Sequence, residues 1–100
     1  MIHSTGYVLV PDVLVEPLGD HWVAFSPSSG ESHLINDTSA AIVEMLSCES
    51  ALTLEQTCTA LAAEVGTLPA DTEGLVHEAL QTFVRAGLVR AVRLPRDTHP

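Results

Sequence analysis

Residues 21–46, HWVAFSPSSGESHLINDTSAAIVEML, carry the reading on which the fold turns. Trp22-Val23-Ala24-Phe25 is rich in side chains that suit a pleated surface, and Ser32-His33-Leu34-Ile35 reads as a returning strand. Between them Pro27-Ser28-Ser29-Gly30 supplies a fixed φ, two side chains that bond the local backbone, and a residue free to take φ > 0. That is hairpin chemistry. With the turn on those four positions, Ser26 faces Glu31, Trp22 and Ile35 share one face, and Val23 and Leu34 share the other. A slip of one residue would exchange the two faces. Asn36-Asp37-Thr38 then stops the strand and offers three candidate N-caps for a following helix.

Upstream, Val13-Leu14-Val15-Glu16-Pro17-Leu18 reads as a strand and Gly19-Asp20 as its turn, which completes an antiparallel meander of three strands. Residues 1–10 read as a lightly ordered lead-in in which Tyr7-Val8-Leu9-Val10 packs as a short strand, punctuated by Pro11 and Asp12. Downstream of residue 36 the pattern is helical. A first helix over about 38–47 aligns Ala41, Ile42, Met45 and Leu46 on one face. Thr53-Leu54-Glu55-Gln56 fits a capping box, opening a helix with Leu54, Cys58, Leu61, Ala62 and Val65 on its apolar face and Gly66 as its C-terminal stop. After a loop at Thr67-Leu68-Pro69-Ala70, with Asp71 or Thr72 as cap, a third helix is expected over about 72–86, ending at Gly87 with Leu88 as the accompanying hydrophobic contact. Val89 to Leu94 reads as a last short extended segment, and the tail PRDTHP as frayed. The expected architecture is α+β, a three-stranded antiparallel sheet followed by three helices, in a single domain over 1–100 with its core at about 13–92.

The third helix carries Leu75, Val76, Ala79, Leu80, Phe83 and Val84 as three adjacent pairs four residues apart, a stripe wider than one side of a small core requires. It is read two ways: a helix sandwiched between the sheet and the other helices, or one whose edge near Val76, Leu80, Phe83 and Val84 lines an open groove.

Composition narrows the function. Apolar residues make up 46% of the 100-residue chain, enough for a packed core, but four aromatics leave Leu, Val, Ile and Ala to build it. There is no Lys, and the four Arg (Arg85, Arg90, Arg93 and Arg96) follow 84 residues that hold 12 of the 13 acidic side chains. A nucleic-acid binder needs several cations at its site to displace phosphate counterions; the chain has almost none to offer, so no nucleic-acid partner is expected. The acidity serves either solubility or attraction to a basic partner. Cys48 and Cys58 have no metal-site spacing and read as reduced packing residues of a cytoplasmic protein. No signal peptide and no apolar run of membrane-spanning length appears, so no membrane partner is expected.

No catalytic constellation stands out. The five histidines are scattered, without the His pair and interposed Glu of a zinc hydrolase, and GESHL follows a strand without the GK[ST] of a phosphate loop. His33 is placed to meet Glu31 or Asp37, though an exposed imidazole is the simpler reading. Neither enzyme activity, cofactor nor metal is expected. What remains is a small sheet with three helices, a binding module. An edge strand shows unpaired N–H and C=O groups, so an extended peptide could add beside Ser32-His33-Leu34-Ile35 and sink side chains into a groove against the third helix. An acidic rim would favour a peptide bearing Lys or Arg.

The run W-V-A-F-S-P-x-S-G-E-S-H-L-I-N, then D-T-S-A-A-I-V-E-M-L, then T-L-E-Q, and a last helix ending F-V-x-A-G-L-V resembles the PqqD-like family over about residues 13–92. It looks closest to the PqqD-family peptide chaperones of HPr-kinase-related systems. The resemblance implies a winged helix-turn-helix-like fold without catalytic activity. It also implies a recognition element that holds the leader of a ribosomally made precursor peptide and delivers it to a modifying enzyme. The leader would bind as a strand added to the third strand, against the third helix; carried over, this points to His33, Leu34, Ile35, Val76, Leu80 and Phe83 as peptide-binding residues. Two other readings compete. One is a structural or dimerising subunit of a modification complex, with a homodimer as its mark. The other is a winged-helix DNA-binding protein, which the absence of cations from the second helix and the lone Arg85 on the third disfavour.

Overall fold

The two halves of the Trp22 hairpin pair in the expected register. In the computed structural model, which describes residues 3–27, 29–67 and 69–95, strand β3 (His21–Ser26) runs antiparallel to β4 (Glu31–Ile35), with Trp22 opposite Ile35, Val23 opposite Leu34 and Ser26 opposite Glu31. Gly30 takes φ 73 and donates its N–H to the Ser26 carbonyl at 2.8 Å, closing the four-residue turn. Strand β2 (Leu14–Leu18) lies on the other side of β3, joined through Gly19 at φ 63. The meander order is β2-β3-β4, so β4 ends the sheet among the described residues.

Three helices follow. Helix α1 (Asp37–Met45) is capped by Asn36, whose side chain accepts from the Ser39 N–H at 2.8 Å. It buries Ala40, Ile42 and Val43, with Leu46 just past its end, while Ala41 and Met45 are half-buried. Helix α2 (Leu54–Val65) opens with the expected capping box: the Gln56 N–H donates to the Thr53 hydroxyl at 3.1 Å, and the Thr53 N–H donates to the Gln56 side-chain oxygen at 2.9 Å. Gly66 closes it at φ 77; of the expected apolar face, Val65 is left exposed and the buried Thr57 joins in its place. Helix α3 (Pro69–Arg85) starts earlier than the sequence suggests. Pro69 opens the helix instead of breaking it, because a first-turn residue has no intrahelical use for the N–H that proline lacks. Its end is as expected: Gly87 at φ 78 donates to the Val84 carbonyl, Leu88 donates to Phe83, and the Leu88 side chain is wholly buried.

A second sheet was not legible in the chain's local patterns. The strand expected at Tyr7–Val10 is longer and earlier, β1 (His3–Leu9), and it pairs along its whole length with β6 (Val89–Pro95), where the extended segment was expected, and on its other side with the two-residue β5 (Leu52–Thr53). The sheet order is β5-β1-β6. Of the tail expected to fray, Pro95 lies in β6 and residues 96–100 fall outside the described residues. The succession α1, β5, α2, α3, β6 is compatible with a winged helix-turn-helix.

One buried cluster joins all of this: Tyr7 from β1, Ala24 from β3, Ile42 and Val43 from α1, Cys58 and Leu61 from α2, Val76, Leu80 and Phe83 from α3, and Leu88 and Val89 beyond it. Each large apolar side chain so buried stabilises the fold by about 1.5–3 kcal/mol relative to exposure. The sheets are tied to this core by polar contacts. The Ser26 hydroxyl donates to the Gly87 carbonyl at 3.0 Å, and the Gln81 side-chain amide donates to the Tyr7 hydroxyl at 3.4 Å.

Candidate functional site

Beside the free edge of β4 lies a cleft of about 450 Å³, within the span of roughly 300–1,000 Å³ usual for binding clefts. One wall is Leu34 and Ile35 at the end of β4, continuing into Asn36, Thr38 and Ser39 at the start of α1. The other is α3, through Leu75, Glu78, Ala79, Thr82 and Phe83. The α3 residues stand at spacings of three and four, which places them on one helical face. Both walls expose apolar surface: Leu34 is 63% and Leu75 52% accessible. Leu75 lines the cleft from the helix, and Leu34, on the outer face of the sheet with Val23, borders it at the strand edge; aliphatic surface left that open is the sort an extended ligand covers.

The strand end is held firmly. Trp22, opposite Ile35 in the register, donates its indole N–H to the Asp37 carboxylate at 2.7 Å, which fixes the first turn of α1 against β3. Asp37 also sits where the positive end of the helix dipole favours an acid.

The structure divides the six residues expected to bind peptide. Leu34, Ile35 and Phe83 line the cleft. Val76 and Leu80 have no accessible surface and form the core behind it, and Phe83 itself is 2% exposed. The open edge of the α3 stripe is therefore the one with Leu75 and Ala79, the opposite edge from the one expected. Periodicity defines the stripe, whereas which edge stays open depends on where α2 and the sheets pack. His33 points to the inner face of the sheet, with its side chain 30% exposed; its Nε2 lies 4.0 Å from Glu31 and has no hydrogen-bond partner among the described residues. The expected meeting with Glu31 is thus approached at the limit of ion-pair distance. The signal for the missed residues Leu75, Glu78, Ala79 and Thr82 was present as a helical face flanking the core stripe.

A second hollow lies between α2 and the start of α3, lined by Leu54, Glu55, Cys58, Thr59, Ala70 and Glu73. Burial pushes the Cys58 thiol pKa up, and the carboxylates of Glu73 and Glu55 push the same way against a lowering hydrogen bond from Thr72. Both cysteines are free thiols, Cys48 exposed and Cys58 buried. No group of three or more His, Cys, Asp or Glu side chains among the described residues could hold a metal ion. No helix among them is long and apolar enough to cross a membrane.

A small α+β domain with a cleft between an edge strand and an amphipathic helix has the form of a peptide-binding module. The chain matches the family described as coenzyme PQQ synthesis protein D (PqqD) over residues 21–89, and it belongs to that family. Members are non-catalytic recognition elements for ribosomally made precursor peptides in modification systems. No curated protein and no solved structure matches the chain.

Proposed function

We propose that this protein binds the leader of a ribosomally synthesised precursor peptide as a strand added to β4, and presents it to a modifying enzyme. The observation that carries the reading is the free edge of β4 beside a cleft whose two walls expose Leu34 and Leu75. Strand addition supplies main-chain hydrogen bonds without regard to sequence, and the cleft supplies selection through alternate side chains. His33, Leu34 and Ile35 form the receiving strand, Leu75, Ala79, Thr82 and Phe83 the receiving helix, and Val76 and Leu80 hold that helix in place from behind. The likeness to chaperones of HPr-kinase-related systems makes such a system the proposed setting, in the cytoplasm.

The test uses peptides selected from a displayed random library on the immobilised protein, followed by calorimetry. Enriched peptides should bind at micromolar Kd or tighter with a negative heat-capacity change, and should protect β4 amides from hydrogen exchange. Leu34→Asp and Leu75→Asp should each weaken binding at least tenfold with unchanged circular dichroism. A charge at Phe83, Val76 or Leu80 would act through the core and is unsuitable for this purpose. Wild-type affinity in both variants would place the peptide elsewhere.

A dimerising subunit is the second reading, and one observation favours it. The outer face of the meander carries Leu14, Leu18, Val23, Phe25 and Leu34, of which Leu14, Leu18 and Leu34 are 58%, 60% and 63% accessible. A second copy would cover that face. Sedimentation equilibrium decides: a stable dimer broken by Phe25→Lys, together with no peptide selected, moves the assignment to a structural subunit.

A further inference from the structure

We infer that the cleft selects peptides with a lysine or arginine beside the apolar side chain that fills it, and that Glu78 is the residue that imposes this choice. The inference rests on the peptide-binding reading and specifies its substrate class.

Among the side chains that line the cleft, Glu78 is the one that carries a charge. It is exposed, and no ion-pair partner stands against it among the described residues. Its surroundings share its sign. The elements bounding the cleft bring Glu31 from β4, Asp37 and Glu44 from α1, and Asp71, Glu73 and Glu78 from α3, with Arg85 as their single permanent cation. Arg85 lies at the far end of α3, two turns beyond Glu78, and its guanidinium reaches back to the Thr82 hydroxyl at 3.4 Å. Asp37 is occupied by the Trp22 indole. His33, the remaining titratable group on β4, and His77 on α3 would only add to the positive side when protonated, and Glu31 is the carboxylate nearest His33. At neutral pH the cleft presents an apolar floor with one unpaired negative charge on its rim, on a protein of formal net charge −9.

The spacing fits a strand. Leu75 and Glu78 are separated by three helical residues, about 4.5 Å along the helix axis. Same-face side chains on an added strand repeat at about 6.5–7 Å, a span that a long Lys or Arg side chain closes easily. A peptide that sets an apolar residue between Ile35 and Leu75 therefore brings the side chain two positions along within reach of Glu78. An acidic side chain there would meet like charge at the rim, which discriminates against it, and the net field of the protein would slow its approach.

The library selection is repeated with Glu78→Gln and Glu78→Lys, both conservative of helix and surface. Wild type should enrich Lys or Arg two positions from an apolar residue, and Glu78→Lys should enrich Asp or Glu there instead. For one basic peptide, Glu78→Gln should raise Kd on the order of fivefold, the size of an exposed ion pair, and the difference should shrink at 1 M NaCl as screening sets in. Selected peptides without a charge preference, or the same set from Glu78→Lys, would overturn this inference and leave peptide binding standing. If wild type enriches no peptide, both fall.

Discussion

Cys48 and Cys58 show how position sets the chemistry of a side chain. The thiolate is the reactive form, so a buried thiol whose pKa is raised is protected twice, by access and by protonation. Cys48, exposed after α1, should react with a maleimide at pH 7.5 within minutes, and Cys58 should react at least a hundredfold more slowly; mass spectrometry of the labelled protein measures both. Comparable rates would mean that α2 opens readily from α3. The same shift bears on stability. The folded chain holds the Cys58 proton more tightly than the unfolded one, so its contribution is full below the ordinary thiol pKa of 9.0. That contribution is lost as the pH rises through the raised value. Denaturant midpoints should therefore fall more steeply above pH 9 in wild type than in Cys58→Ala.

Between elements, what was legible depended on how local the determining interactions are. The β3–β4 register could be read because Pro27 and Gly30 fix a four-residue turn and the face alternation on each side agrees with it. The capping box at Thr53 and the stop at Gly87 were readable for the same reason, since their partners lie within a few residues. The pairing of β1 with β6 joins residues about 80–90 positions apart, and nothing near Tyr7 or Val92 specifies that partner. The open edge of α3 was hidden likewise, because it is defined by what α2 and the sheets leave uncovered. One residue in β1 does bear the mark of its long-range neighbours. A Cβ built on Gly6 would stand 2.6 Å from Leu94 Cδ1 and 2.9 Å from the Ala51 Cβ, so the backbone of β1 passes too close to β6 and to the approach of β5 for any side chain. Gly6→Ala should cost about 1–3 kcal/mol, the usual range for overpacking, read as a shift in the urea midpoint at unchanged m-value. No shift would show that Leu94 swings aside freely.

For the molecule as a whole, the family match and the fold have different extents, and the difference makes a prediction about folding. The match covers residues 21–89, which contain the β3–β4 hairpin, three helices and both walls of the cleft. The fold, however, is completed by β1 and β6 outside that span, and β1 is the middle strand of its sheet. Without β1, β5 and β6 have no strand between them, the core loses Tyr7, and the Ser47 carbonyl beyond α1 loses the Leu9 N–H that donates to it at 3.0 Å. Loss of a large buried aromatic alone typically costs about 3–5 kcal/mol, a large part of the about 5–15 kcal/mol by which domains are stable. Deletion of residues 1–9 should therefore abolish the cooperative melt seen by circular dichroism, and with it the Trp22 emission of the native state. Because Val76 and Leu80 hold α3 in place from the same cluster as Tyr7, and Phe83 lines the cleft from that cluster, peptide binding should disappear with the melt. A truncated protein that melts within about 2 °C of the full chain, a change worth less than about 1 kcal/mol, would show that the rest of the chain folds without β1. The β1–β6 sheet would then be an attachment to the binding module, with no part in holding α3 against it.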